Sequence, residues 1–168
     1  MKQGRAAQKF TRREVVFGSA SALLLLAGLL VFCGGRSPRY WPRRQILDAI
    51  LSVESGGRPE PPDGDDGKAI GPYQIHEGYW IDARRQDPSL ENDYALCRQR
   101  DYAERVVRAY MLRYAKDAWE SGDAEVIARV HNGGPDGFGK PSTLPYWRKV
   151  ERALRSRSPG SPTPIRTR

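Results

Sequence analysis

The amino-acid sequence predicts a predominantly helical α+β domain with a minor sheet or loop lobe, preceded by one N-terminal transmembrane helix. Apolar residues recur at helical spacing in several segments between residues 43 and 154. A loop rich in glycine, proline and aspartate at 55–68 precedes a short extended stretch at 69–75. Residues 15–33 contain no charged side chain. These three observations divide the chain into an apolar N-terminal segment and one small domain.

The N-terminal end has the pattern of a membrane anchor. Residues 1–14 are basic and polar, and the uncharged run at 15–33 is long enough for one membrane crossing. Because basic flanks stay in the cytoplasm, we expect a single-pass protein of the cell membrane whose domain faces the periplasm or the exterior. A signal peptide that is cleaved on export is the alternative. Residues 34–42 form a short linker rich in Gly, Pro and Arg.

The net charge of +8 resides at the two ends of the chain. Residues 1–14 and 155–168 each carry a net charge of +4, so residues 15–154 are neutral overall. A nucleic-acid-binding domain should carry positive charge on the fold itself, so we expect no nucleic acid partner. Residues 155–168 lack apolar periodicity and are predicted to be a disordered basic tail.

The two cysteines, Cys33 and Cys97, exclude a disulfide-stabilised domain. Cys33 lies in the apolar segment, which leaves one thiol in the domain. A packed apolar core must therefore supply the stability. No cluster of His and Cys with metal-ligand spacing is present, so we expect neither a metal nor a cofactor.

The domain at 43–154 is predicted to contain helices joined by loops of different length. In chain order the predicted elements are a helix at 43–54, a loop at 55–68, an extended or turning segment at 69–75, a short helix at 79–85, a long helical region at 91–119, a helix at 123–132 and a last helix at 144–154. The segment Gly133-Gly134-Pro135 ends the helix at 123–132.

Glu54 is the first candidate catalytic residue. It follows Leu47, Ile50 and Leu51 on the apolar stripe of the first helix. Burial and the negative end of the helix dipole both favour the protonated form of a carboxyl at this position. A carboxyl that holds its proton opposite an aspartate-rich loop suits cleavage of a glycosidic bond.

The loop that follows Glu54 supplies the candidate second carboxylate. Asp63, Asp65 and Asp66 lie within it, and its glycines allow close approach of the backbone to a ligand. The alternatives are a solvated acidic turn or a cation-binding loop, although the spacing does not match an EF-hand.

Several blocks of the sequence resemble the invertebrate-type (destabilase) lysozymes. The similar blocks occur in order at 53–56 (VESG), 71–75 (GPYQI), 79–82 (YWID), 110–114 (YMLRY), 131–135 (HNGGP) and 139–150, which includes Tyr146 and Trp147. The resemblance covers about residues 43–154 and needs only small gaps. Several blocks in the same order are more specific than the VESG block alone, which also occurs in other lysozyme-like enzymes.

The resemblance implies a lysozyme-like fold and hydrolysis of the β-1,4 bond between N-acetylmuramic acid and N-acetylglucosamine in peptidoglycan. It implies that Glu54 is the general acid and Asp65 the nucleophile or charge-stabilising carboxylate. Asp66 is the alternative to Asp65, because the loop before the GPYQI block is one residue shorter than in the family.

The resemblance also indicates a set of residues expected to line the substrate cleft. They are Ser55, Tyr73, Gln74, His131 and Asn132. The alternative role for His131 is to close the C-terminal end of its helix. The animal members are rich in disulfides, whereas Gly57, Ile70 and Ala83 stand near positions where cysteines are expected. We therefore expect a less rigid loop around Asp65.

Two other functions fit the same residues. A lytic transglycosylase would use Glu54 alone, and a non-catalytic wall-binding module would use the aromatic side chains as stacking platforms. Substitution of Asp65 and Asp66 separates the first alternative from a muramidase, and Glu54→Gln separates the second. For all three functions the expected partner is the glycan strand of peptidoglycan, and we expect a monomer.

Overall fold

The computed structural model describes residues 40–156. The predicted cytoplasmic segment at 1–14 and the predicted membrane segment at 15–33 lie outside this range. So do residues 34–39 of the predicted linker and residues 157–168 of the predicted tail at 155–168. Between residues 40 and 156, no helix combines the length and the apolar character needed to cross a membrane. The predicted anchor is thus untested and stays a prediction.

Six α-helices and one two-stranded sheet make up the described domain, which confirms a mainly helical fold with a small sheet. The elements are α1 Arg43–Ser55, β1 Ala69–Ile70, β2 Ile75–His76, α2 Glu77–Gln86, α3 Arg100–Tyr114, α4 Lys116–Ser121, α5 Ala124–Gly133 and α6 Leu144–Ser156. Short 3₁₀ turns occur at Asp65–Gly67, Tyr94–Arg98, Gly137–Gly139 and Pro141–Thr143.

The core forms where α1 packs against α6, α5 packs against α6, and α2 packs against α3. The apolar stripe of α1 is buried as its spacing predicts. The fully buried side chains at the centre include Ile46, Ile50, Val106, Met111, Ile127 and Val150. Burial of apolar surface on this scale is the main force that holds the helices together.

Two left-handed glycines end α1 just after Glu54 and Ser55. Gly56 has φ 64° and donates its N–H to the carbonyl of Ser52, and Gly57 has φ 77°. Glycine adopts this conformation without steric cost, so the chain turns away from the helix axis at once. Glu54 is therefore left on the last turn of α1.

The long helical region predicted at 91–119 is interrupted twice, which corrects the expectation of one region. Asp93 caps a 3₁₀ turn by accepting a hydrogen bond from the Ala95 N–H, and α3 begins only at Arg100. The second break lies at Ala115, with φ −147° and ψ 44°. Alanine favours helix, so tertiary packing overrides local propensity here. After this break, Trp119 is buried in the core.

The small sheet is a tight antiparallel hairpin. Ala69 pairs with His76, and Ile70 pairs with Ile75. Gly71 opens the turn with φ 71°, and a Cβ at this position would lie 2.0 Å from the carbonyl oxygen of Cys97. Only glycine fits this position, because both the backbone conformation and the space exclude a side chain.

A cluster of charged groups joins α1, α3 and the hairpin turn. Two nitrogens of Arg44 each lie 2.7 Å from Glu104, and Arg100 donates to Glu104 at 2.9 Å. The buried hydroxyl of Tyr73 donates to Glu104 at 3.0 Å. Asp48 accepts further hydrogen bonds from both arginines. The carboxylate of Glu104 thus holds three elements together.

Two opposing effects set the pKa of Glu104. Burial alone would raise this pKa, but hydrogen bonds from Arg44, Arg100 and Tyr73 outweigh it and hold the pKa at about 2. The ordinary value for glutamate is 4.5. Because the folded state has the lower pKa, its stabilising contribution is complete above pH 4.5 and is lost as the pH falls towards about 2.

The substitution Glu104→Gln should remove this acid-dependent part of the stability. We expect a loss on the order of 2 kcal/mol at about pH 7, and a smaller difference from the parent protein at about pH 3. Urea unfolding at the two pH values measures both quantities. Glu91→Gln is the matched control, because Glu91 forms an exposed ion pair with Arg105. If Glu104→Gln lowers the free energy of unfolding equally at both pH values, the low pKa assigned to Glu104 is wrong.

Candidate active site

Glu54 is presented at the point where three helices meet. It lies on the last turn of α1, and its side chain is 18% exposed. The carboxylate oxygen Oε1 accepts a hydrogen bond of 2.6 Å from the hydroxyl of Tyr146 on α6. The Nε2 atom of His131, on α5, lies 3.6 Å from the same oxygen. The carboxyl group is thus partly enclosed by the hydroxyl of a tyrosine and the ring of a histidine.

His131 is itself held in place by aromatic residues. Its side chain is 4% exposed, and its Nδ1 atom lies 3.2 Å from the hydroxyl of Tyr79 on α2. The ring of Tyr79 stacks on that of Tyr110, with centroids 3.5 Å apart and planes 11° apart. The structure therefore brings His131 next to Glu54, in addition to its position near the end of α5.

Burial keeps the two tyrosine hydroxyls of this cluster protonated. Burial, and then the negative charge of Glu54, raise the pKa of Tyr146 well above its ordinary value. Burial, and then Tyr110, have the same effect on the pKa of Tyr79. The Tyr146 hydroxyl consequently stays a hydrogen-bond donor to Glu54 throughout the ordinary pH range.

Asp65 and Asp66 form the 3₁₀ turn in the loop after α1. Both have left-handed backbone conformations, with φ 49° and φ 53°. Aspartate tolerates this region better than most residues, which explains two acidic residues at this turn. The side chain of Asp65 is 58% exposed, and its Oδ2 atom lies 3.6 Å from Nε2 of His76. Asp66 is also exposed.

Non-covalent contacts hold this loop against the segment at 94–98. Asp63 makes a bidentate ion pair with Arg98, which lowers the pKa of Asp63. The hydroxyl of Tyr94 lies 3.0 Å from the carbonyl oxygen of Lys68 and 2.5 Å from that of Ile75. The expectation of a less rigid loop is therefore modified, because these polar contacts tie the loop to the neighbouring segment.

The remaining predicted cleft residues occupy different environments. Ser55 is buried, and its hydroxyl donates to the carbonyl of Leu51. Tyr73 is fully buried against Glu104, so neither it nor Ser55 exposes its side chain to a ligand. Gln74 is half-buried, and its side-chain amide donates hydrogen bonds to the carbonyls of Gly71 and Pro62. Asn132 is exposed at the end of α5. We therefore assign Ser55 and Tyr73 a supporting role, which corrects the expectation of direct contact.

Two residues of the cluster were absent from the predicted site. Tyr146 and Tyr79 both belong to blocks that carry the family resemblance. Membership of these blocks was the one feature of the sequence that could have identified them as site residues. Their contact with Glu54 and His131 depends on how α2, α5 and α6 pack, which local spacing does not specify. In the described part of the chain, no group of three or more His, Cys, Asp or Glu side chains is placed to hold a metal ion.

The substitution Arg98→Ala should loosen the loop locally. It removes the exposed ion pair with Asp63, so amide exchange at 63–70 should quicken by roughly 2-fold to 5-fold. Hydrogen exchange read by mass spectrometry measures this change. Arg105→Ala is the matched control, because it breaks the exposed pair with Glu91. Unchanged exchange at 63–70 would show that this contact does not restrain the loop.

Comparison with known proteins places these features in one family. Residues 43–153 match the family model described as Destabilase. A lysozyme of Magallana gigas is 36% identical over 135 residues, which cover 78% of this chain and 90% of the relative. A lysozyme of Meretrix lusoria is 39% identical over 111 residues, which cover 65% of this chain and 88% of the relative.

Solved structures show the same fold. The Meretrix lusoria lysozyme, crystallised in complex with PliI of Aeromonas hydrophila, superposes with a TM-score of 0.55 and 37% identity over 65% of this chain and 88% of that one. The Tapes japonica lysozyme gives a TM-score of 0.53 and 32% identity over 70% of this chain and 91% of that one. The lysozyme-like fold is thereby confirmed. The family model spans nearly all of the described domain, and the chain belongs to the destabilase family of invertebrate-type lysozymes.

Proposed function

We propose that this protein is a muramidase that cleaves the β-1,4 bond between N-acetylmuramic acid and N-acetylglucosamine in peptidoglycan. Its family makes it a glycoside hydrolase of the lysozyme type. The observation that supports the proposal most directly is the half-buried Glu54 with its hydrogen bond from Tyr146. We assign the general acid to Glu54 and the second carboxylate to Asp65.

The surroundings of Glu54 suit a carboxyl that releases a proton during the reaction. Among the described residues, its side-chain contacts are the Tyr146 hydroxyl and the His131 ring. Glu104 offers a contrast, because two arginines hold its carboxylate ionised. In this proposal Glu54 donates a proton to the leaving glycosidic oxygen.

Asp65 has the properties of an ionised partner. Its side chain is largely exposed, and the Nε2 atom of His76 lies 3.6 Å from its Oδ2 atom. In this proposal Asp65 stabilises the oxocarbenium-like transition state or attacks it as nucleophile. A retaining enzyme brings its two carboxyl groups to about 5–5.5 Å from each other, and an inverting enzyme leaves room for a water between them.

A lytic transglycosylase is the second candidate. In that reaction Glu54 alone would act as both the general acid and the general base. A non-catalytic wall-binding module is less consistent with family membership. All three candidates have peptidoglycan strands as partner.

We also propose that the domain acts outside the cytoplasmic membrane as a monomer, with residues 15–33 as its anchor. The support is the uncharged run at 15–33 behind a basic flank. Export with cleavage of the segment is the alternative.

The first test is mass spectrometry of the products that the full-length protein releases from purified peptidoglycan. The parent protein should release muropeptides with reducing ends. Loss of a general acid typically costs 10²-fold to 10⁴-fold in rate, so Glu54→Gln should fall by about that factor. Asp65→Asn should also fall steeply, whereas Glu60→Gln, an exposed carboxylate in the same loop, should stay near the parent rate.

The outcomes of this test separate the candidates. Anhydromuramic products that persist in Asp65→Asn would assign the protein to the transglycosylases. Activity that survives Asp65→Asn but is lost in Asp66→Asn would move the second carboxylate to Asp66. If the protein binds peptidoglycan but releases no product, the non-catalytic wall-binding module is the remaining candidate.

A further inference from the structure

We infer that Tyr146 is a positioning residue that, together with His131, determines which oxygen of Glu54 carries the transferred proton. The inference rests on the proposed function, in which Glu54 is the general acid. Tyr146 contacts Glu54 and acts through it.

Both neighbours of Glu54 approach the same oxygen. The Tyr146 hydroxyl lies 2.6 Å from Oε1, and Nε2 of His131 lies 3.6 Å from Oε1. The first distance is a short hydrogen bond, and the second is an electrostatic contact longer than a hydrogen bond. The described contacts of the carboxyl group thus converge on one oxygen, Oε1.

A hydrogen-bond donor at Oε1 places the proton on Oε2. A protonated carboxyl group has one oxygen that carries the proton and one carbonyl oxygen, which is the better acceptor. Since burial keeps the Tyr146 hydroxyl protonated and donating, Oε1 becomes the carbonyl oxygen. The acidic proton is then on Oε2.

The tautomer of His131 follows from the same arrangement. The lone pair of an imidazole nitrogen would repel Oε1, so Nε2 presents its N–H to that oxygen. Nδ1 is then the acceptor, and the hydroxyl of Tyr79, 3.2 Å away, donates to it. The stack of Tyr79 on Tyr110 restrains the ring, and therefore the position of that hydroxyl oxygen.

The four side chains form one polar chain from Tyr79 through His131 and Glu54 to Tyr146, and they come from four different helices. Because residues of α1, α2, α5 and α6 pack in a common core, the four side chains are held in this arrangement without a ligand. A carboxyl group of Glu54 that is oriented before substrate binds lowers the activation barrier of the reaction without adding contacts to the substrate. Removal of the Tyr146 hydroxyl should therefore affect kcat more than KM.

The test compares Tyr146→Phe with the parent full-length protein on purified peptidoglycan. We expect kcat to fall by roughly 10-fold to 100-fold, with KM within about twofold of the parent. Tyr102→Phe is the matched control, because the buried Tyr102 hydroxyl donates to the carbonyl of Glu91, away from Glu54. The control should leave both constants near the parent values.

A spectroscopic measurement tests the hydrogen bond without reference to activity. At acid pH, the infrared difference between each protein and its Glu54→Gln counterpart isolates the carbonyl band of protonated Glu54. In Tyr146→Phe this band should move to higher wavenumber, because the carbonyl oxygen has lost a donor. Should Tyr146→Phe fail to fold, Tyr79→Phe provides the second variant, with a kcat decrease of about 3-fold to 10-fold and unchanged KM.

The positioning role is overturned if Tyr146→Phe retains the parental kcat, or if the carbonyl band does not move. It is also overturned if KM rises while kcat is constant, since that result indicates direct substrate contact. If the parent protein releases no product from peptidoglycan, the proposed function fails. The infrared band still decides whether Tyr146 orients Glu54, so the two failures are distinguishable.

Discussion

The packing of α1 against α5 and α6 is the constraint on which the rest of the site depends. It brings Tyr146 within 2.6 Å of Glu54, although 92 residues separate them in the chain. Buried aliphatic side chains such as Ile50 and Val150 lie in the same core, so the position of the carboxyl group is set by apolar packing. The polar contacts then select its orientation. Apolar burial supplies most of the free energy of folding, and the hydrogen bonds orient the carboxyl group of Glu54.

Two glutamates of one domain show how surroundings assign different roles to the same side chain. Glu104 is held ionised by Arg44 and Arg100 and joins three structural elements. Glu54 meets only Tyr146 and His131 among its described contacts. The first environment stabilises negative charge, and the second contains no arginine or lysine among the described contacts of the carboxyl group.

The sequence was sufficient to predict what depends on short-range periodicity. The stripe of α1 identified Glu54 as an acid beside the core, and the structure brings His131, which the resemblance predicted to line the cleft, to 3.6 Å from Glu54. Residues whose role depends on packing between distant helices were missed, as Tyr146 shows. Tyr73 was misassigned because an aromatic residue in a similar block carries no information on the direction of its side chain.

The buried Cys97 has a consequence for how the domain reaches its folded state. It is the only cysteine among the described residues, and its neighbours pack without any cystine. Burial raises the pKa of its thiol to about 12, so the reactive thiolate is scarcely formed. Folding of this domain therefore needs no oxidant and no disulfide isomerase. The same native structure is accessible in a reducing compartment and in an oxidising one.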